Sequence, residues 1–159
     1  KYLPKYASGE IIGSFCLTEP DAGSDAASLK TSAVKDGDYY ILNGTKRYIT
    51  NAPFARVALI MARTSKEALP KNAHVSAFLV PMDSPGIQRT HFDDVGSAII
   101  GRGSVFFDDV KVPLSHRLGD EGKGFTSTKS RNAHPGAVKK LDRITLGWRK
   151  CFDVVVYRG

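Results

Sequence analysis

Thr18, Ser24, Tyr48 and Thr50 are the residues of this 159-residue chain best placed to do chemistry, and they sit in two short runs. The first run, Phe15-Cys16-Leu17-Thr18-Glu19-Pro20-Asp21-Ala22-Gly23-Ser24-Asp25, begins as an apolar strand and breaks into a loop dense in small residues, hydroxyls and main-chain donors. Ala22, Gly23 and Ser24 put little bulk between the backbone N–H groups and a ligand, so the loop can come close to a phosphate or a flat polar ring. The second run, Lys46-Arg47-Tyr48-Ile49-Thr50-Asn51-Ala52-Pro53, spaces an aromatic and a hydroxyl two residues apart, Tyr48 and Thr50. In an extended strand both point to one face, where one can stack on a ring while the other hydrogen-bonds its edge. Glu19, inside the first run, reads as a loop acceptor ahead of Pro20 rather than as a catalytic carboxylate.

Other chemistries find no pattern here. The chain has no Gly-x-Ser-x-Gly elbow, His-Glu-x-x-His or Cys-x-x-Cys. Gly119–Gly124 is glycine-rich, but Lys123 is followed by Gly124 rather than Ser or Thr, so it reads as a loop before a helix and not as a phosphate-binding P-loop. His74, His91, His116 and His134 lack metal-ligand spacing, and no metal site is expected. Asp93-Asp94 and Asp108-Asp109 are adjacent pairs whose side chains diverge in a strand, which suits surface or turn roles. Cys16 and Cys151 read as small apolar residues rather than a disulfide or reactive thiols.

The elements that must position these residues read as short antiparallel strands. Ile11–Leu17, Leu29–Val34, Tyr39–Leu42, Arg47–Thr50, Arg56–Ala62, Val75–Pro81 and Ser104–Phe107 are apolar or β-branched runs. Asp36-Gly37, Asn43-Gly44, Asn51-Ala52-Pro53 and Ser84-Pro85-Gly86 punctuate them. Asp-Gly and Asn-Gly between such runs predict hairpin turns, a better reading of Asn43-Gly44-Thr45 than a glycosylation acceptor. After Phe125 the chain changes character. Leu141, Ile144, Trp148, Cys151, Phe152 and Val155 recur at three- and four-residue spacing, which predicts a helix with Lys139, Lys140, Arg143, Arg149 and Lys150 largely off its apolar stripe.

The two runs together resemble the central domain of the acyl-CoA dehydrogenase family. The first is similar to that family's leading signature, and Tyr48-Ile49-Thr50-Asn51 to its flavin-facing strand, where many members have Trp in place of Tyr48. The resemblance continues through Ser84–Ile87, Phe106–Pro113 and Leu118–Phe125, and so covers roughly residues 1–125. It implies a mainly β fold, a small antiparallel barrel of two packed sheets over 1–125, followed over 126–159 by a linker and the first helix of a C-terminal helical domain.

The resemblance further implies FAD and an acyl-CoA thioester. Family enzymes remove an α proton with a carboxylate base and pass the β hydrogen to the flavin as hydride. On that mapping the main chain and hydroxyl around Leu17 and Thr18 hydrogen-bond the isoalloxazine edge. Tyr48 packs on the ring, and Thr50 donates near its reactive nitrogen. Ser24 meets the flavin pyrophosphate or the CoA portion of the substrate. Phe15, Cys16, Gly23 and Ile49 complete the cofactor-contacting set. No residue is assigned as the base, which the family carries on helices beyond this stretch, so the chain alone is expected to be inactive. The family's N-terminal helical domain would precede residue 1. An electron-transfer flavoprotein or similar acceptor, and a homo-oligomeric parent, are implied in the same way. Asp94–Ser104 departs from the family's wording there, which leaves the acyl chain open. The stretch from Ser127 to Leu141 departs too. A non-catalytic flavin or acyl-CoA module, an acyl-CoA oxidase and a flavin monooxygenase are the alternatives.

Composition bounds these readings. The length suits one domain with a real core. The net charge of +7 lies in the tail: residues 1–125 carry 15 Lys and Arg against 14 acids, residues 126–159 carry 8 against 2. No basic stripe interleaved with aromatics crosses the main domain, which argues against nucleic acid. No run reaches the ~20 apolar residues of a membrane span, and no signal-peptide pattern opens the chain. Cytoplasm or an organelle matrix is the expected setting.

Overall fold

The computed structural model describes residues 2–65, 74–93, 95 and 100–128. A short helix α1 (Leu3–Ala7) with Pro4 in its first turn precedes strand β1 (Gly13–Cys16). Then follow β2 (Ser32–Asp36), β3 (Tyr39–Thr50), β4 (Val57–Arg63), β5 (Val75–Pro81), β6 (Ile87–Arg89), β7 (Arg102–Pro113) and β8 (Arg117–Leu118). Helix α2 (Gly124–Thr128) ends the described part, and the apolar stripe expected over Leu141–Val155 lies outside it.

The fold is mainly β, as expected, but two details of that expectation are corrected. The strands form one sheet in the order β6-β7-β3-β2-β4-β5-β8, with β1 paired to β4, and it is not closed into a barrel. Its path ends on the three-residue β6 and the two-residue β8, too short to zip the ends together. Nor is it wholly antiparallel: β1 runs parallel to β4 from Gly13↔Val57 to Cys16↔Ile60, and Ser32 of β2 pairs in parallel with Arg63. The β2–β3 hairpin lies between β1 and β4 in the chain and acts as the crossover that returns β4 in the direction of β1. A crossover made of strands carries the same turn signals as a meander, so the hairpin pattern alone hides it.

Burial explains how one sheet makes a core. Cys16, Ala58, Ile60, Ala62, Phe78 and Val80 meet Tyr40, Leu42, Ile49, Val105, Phe107, Val110 and Val112 in one cluster, so the β4–β5 half faces the β3–β7 half. The other face of β4–β5 presents Leu59, Met61, Val75 and Ala77 to Ala22 and Leu29, with Phe15, Leu17, Leu118 and Phe125 packed against them. Both faces of β4 and β5 are therefore covered, which is why Val57–Ala62 is continuously apolar rather than alternating.

The turns at Gly37, at Asn51–Phe54 and before Gly86 fall where the punctuation predicts. Asn43-Gly44 does not: it lies inside β3, and the two runs read as separate strands are one. Opposite it, β7 carries an extra residue between the pairs Leu42↔Val110 and Gly44↔Phe107. The bulge is held by Asn43, whose Nδ2 donates to Asp109 Oδ1 and whose Oδ1 accepts from Asp109 N, both at 2.9 Å. Gly44 serves a close approach instead of a turn: at φ 146° a Cβ there would fall 2.6 Å from Thr31 Oγ1 and 2.7 Å from Thr31 Cα.

The glycine-rich Gly119–Gly124 loop before α2 is anchored at several points. Gly122 N donates to Ser76 Oγ at 2.9 Å, and Tyr40 Oη donates to Glu121 Oε2 at 2.8 Å beside Arg117. Burial, and then the hydrogen bond to Glu121, push the Tyr40 phenol above its ordinary value.

Candidate functional site

The ends of β1 and β3 are stitched together edge to edge. Arg47 N donates to Thr18 O at 2.9 Å, and Ser14 Oγ donates to Thr50 O at 2.9 Å. The first bond sets Thr18 beside Arg47 and the second sets Ser14 beside Thr50, so the two runs singled out by sequence lie side by side in one candidate locus. Between Lys46↔Val105 and Ile49↔Gly103, β3 carries an extra residue, and Tyr48 sits there at φ 58°. The premise of a regular extended strand at Tyr48 is thus corrected. A left-handed residue in a bulge resets the alternation, so that Lys46 and Ile49 face inward while Arg47 and Tyr48 both face outward.

The predicted site residues divide by exposure. Cys16 and Ile49 are buried in the core, so only their backbone can reach a ligand. Phe15 and Leu17 are half-buried against the second cluster. Thr18 and Thr50 are half-exposed, and Tyr48 is 53% exposed. Gly23 and Ser24 are exposed beyond a tight turn in which Glu19 and Ala22 exchange backbone bonds of 3.1 and 3.3 Å. No hydrogen bond among the described residues joins Gly23 or Ser24 to the Thr18–Thr50 locus.

Sequence reasoning missed the groups that hold the locus in place. Lys46 is fully buried, and its ammonium donates to Glu19 Oε1 at 2.8 Å and to Leu17 O at 3.0 Å. The Glu19 carboxylate, 4% exposed, also accepts from Lys30 N at 2.6 Å and Thr31 N at 3.0 Å. Glu19 is thus a loop acceptor, as read from sequence, and also the counter-ion of a buried lysine. Burial raises its carboxyl, but the Lys46 ammonium and the Lys30 and Thr31 donors outweigh that and hold it below its ordinary value. Burial pulls the Lys46 ammonium below the ordinary lysine value against the opposing pull of Glu19. Burial likewise pushes the Cys16 thiol up to about 12, despite the nearby Lys46 charge. The signal for Lys46 was its place in β3, at even spacing from the inward-facing Tyr40 and Leu42.

Tyr48 is also framed by partners from outside the two runs. Phe92 meets its ring edge-on at 5.7 Å, and the guanidinium carbons of Arg47 and Arg102 lie 5.1 and 5.9 Å from its centroid. The locus thus offers an exposed aromatic in cationic surroundings. The hydroxyls of Thr18 and Thr50 make no hydrogen bond within the described residues, and Cys16 and Ile49 beside them are buried in the core. A flat ring with acceptors along one edge fits that donor set.

The family profile described as acyl-CoA dehydrogenase, middle domain, matches residues 14–110. A probable acyl-CoA dehydrogenase of Bacillus subtilis is 44% identical over 125 residues, covering 78% of this chain and 33% of its own. The mitochondrial isovaleryl-CoA dehydrogenase of Pongo abelii is 43% identical over 125 residues, covering 78% and 30%. Among solved structures, the glutaryl-coenzyme A dehydrogenase glutaryl-CoA complex superposes with a TM-score of 0.74 at 40% identity, covering 77% of this chain and 31% of that one. The chain therefore spans about a third of the length of the relatives it matches. Over residues 14–110 it carries the middle domain of the acyl-CoA dehydrogenases, and it belongs to that family.

Proposed function

We propose that the Thr18–Thr50 locus is one wall of an FAD site in a dehydrogenase that desaturates an acyl-CoA thioester, the reading most at home in the cytoplasm or an organelle matrix. The observation that carries it is the stitching of β1 to β3, which sets two half-exposed hydroxyls and an exposed tyrosine on one locus. FAD would supply the two-electron acceptor. Thr18, through its amide and hydroxyl, would hold the polar edge of the ring, and Thr50 would donate beside it. Tyr48 would shield the ring on its outer side. Ser24 and Gly23, on the exposed turn, would meet the pyrophosphate or the CoA portion of the substrate.

Glu19 cannot serve as the proton-abstracting base, because both of its oxygens are committed to Lys46, Lys30 and Thr31. The base comes from elsewhere, and turnover belongs to a longer assembly in which an electron-transfer flavoprotein or similar acceptor and further subunits take part. The test is a flavin-fluorescence titration of the chain with FAD. A single wall of a cofactor site should bind weakly, with a dissociation constant on the order of tens of micromolar. Thr18→Val together with Thr50→Val should weaken binding at least tenfold while leaving the fold intact. Binding unchanged in that double variant would refute the assignment.

A further inference from the structure

A lysine with no exposed surface is costly to keep, and a regular sheet core has no need of one. Lys46 nevertheless reaches through the core to two loop atoms, the carbonyl oxygen of Leu17 at 3.0 Å and Oε1 of Glu19 at 2.8 Å. Glu19 in turn takes the backbone N–H groups of Lys30 and Thr31, at 2.6 and 3.0 Å, where the chain enters β2. One ion pair thus ties together three segments: the exit of β1, the middle of β3 and the entry to β2. Its position matters more than its strength, because it grips the one peptide unit that the flavin reading requires to be aimed.

We propose that the buried Glu19–Lys46 pair is the positioning device of the cofactor edge, setting the direction and the polarisation of the Thr18 N–H. The Leu17 carbonyl and the Thr18 N–H belong to one planar trans peptide, so they point in opposite directions. The Leu17 oxygen is held on the buried ammonium. The Thr18 N–H must then point away from the buried ammonium, at a residue that is itself half-exposed. A cation on the carbonyl oxygen also draws electron density through the peptide, which makes that N–H a stronger donor to a partner that gains negative charge. Glu19 fixes the ammonium in place, a contact an amide oxygen can keep, while its bonds to Lys30 and Thr31 keep the loop from swinging outward. Lys46 touches neither ring nor substrate on this reading; it acts through the Leu17–Thr18 peptide.

The inference rests on the flavin reading above, and its test separates the two. In the FAD-loaded full-length protein, the flavin midpoint potential is measured for wild type, Lys46→Met and Glu19→Gln. Lys46→Met should weaken stabilisation of the reduced relative to the oxidised flavin about tenfold, a fall of about 30 mV for two electrons. Glu19→Gln removes the negative charge and leaves a donor on the Leu17 oxygen, so its potential should stay level or rise. A purely structural pair would loosen the same loop in both variants and move both potentials the same way; that result would overturn the inference, as would an unshifted Lys46→Met. Should Lys46→Met not fold, Lys46→Gln, a neutral donor, carries the same expectation and the same refutation. A wild-type protein that takes up no FAD would overturn the flavin reading itself. A loaded wild type with unresponsive variants would overturn only the role given to the pair.

Discussion

Removing the Lys46 ammonium should be among the most destabilising single changes this domain can suffer. In Lys46→Met the side chain keeps most of its apolar length, so packing against the core is nearly conserved. What is lost is the cation 2.8 Å from Glu19, whose carboxylate is 4% exposed and keeps only two backbone donors. Breaking a buried pair in this way costs about 3–5 kcal/mol, because a desolvated charge is left behind. Against a total stability of about 5–15 kcal/mol that is a large share. Equilibrium unfolding of the full chain in urea measures it: with a slope of about 2 kcal/mol/M, the midpoint should fall by about 1.5–2.5 M. Glu19→Gln should cost less, since an amide can still accept from Lys46 but offers an N–H to at least one donor. The double variant should cost less than the two singles added together, with a coupling of at least about 1 kcal/mol. Acid pH supplies a second reading. The Glu19 carboxyl titrates below its ordinary value when folded, so the stability it contributes is full above that ordinary value and is lost as the pH falls through the depressed one. The gap between wild type and Glu19→Gln should therefore close in the acid range below about pH 4. A Lys46→Met variant within about 1 kcal/mol of wild type, or strictly additive costs, would show that the pair is not the buried, mutually dependent unit described above.

Two other expectations follow from burial. With Cys151→Ser leaving Cys16 as the one thiol, a thiol raised to about 12 is almost wholly protonated at pH 8, so an aromatic disulfide reagent should react only on the timescale of unfolding; prompt stoichiometric labelling of the native protein would contradict its burial. In Gly124→Ala the new methyl would lie 2.8 Å from Val75 O and from Ser76 C and 3.0 Å from Ala77 N, all backbone of β5, so the start of α2 must lift; thermal melting should register about 1–3 kcal/mol of lost stability, and an unchanged melting temperature would refute the close approach.

Much of this architecture was legible in the chain. The apolar runs Arg56–Ala62 and Val75–Pro81 became β4 and β5, and Asp36-Gly37 formed the hairpin its composition predicts, while the run Ser104–Phe107 is only part of the longer β7. What the sequence hid was non-local. Asn43-Gly44 carries the strongest short-range hairpin signal, yet here Asn43 holds a bulge in the partner strand and Gly44 makes room for Thr31. The parallel pairing of β1 with β4 could not be read either, because the crossover between them is itself a hairpin. Strands β6 and β8, at three and two residues, are too short to show a period of any kind.

The candidate residues were legible in the sequence, but the side chains that hold them in place were not. Thr18, Tyr48 and Thr50 stood out by type and spacing, and the structure lays the two runs that carry them side by side, Thr18 against Arg47 and Ser14 against Thr50. A strict alternation from Leu42 would have turned Lys46, Tyr48 and Thr50 into the core and Ile49 out of it. The structure keeps Lys46 and Ile49 inside, three residues apart, and that odd spacing is possible only because Tyr48 takes a left-handed backbone in a one-residue bulge. Regular alternation from Leu42 carries the Lys46 ammonium to the core side, where it reaches Leu17. The bulge that follows then turns the Tyr48 ring outward two residues later. An apolar residue at odd spacing from a core-facing lysine is a pattern that can be sought in other sequences, and it predicts a bulge beside an outward-facing residue. Without the bulge the same strand could bury Lys46 or expose Tyr48 with Ile49 packed beneath, but not both, and the candidate site depends on both.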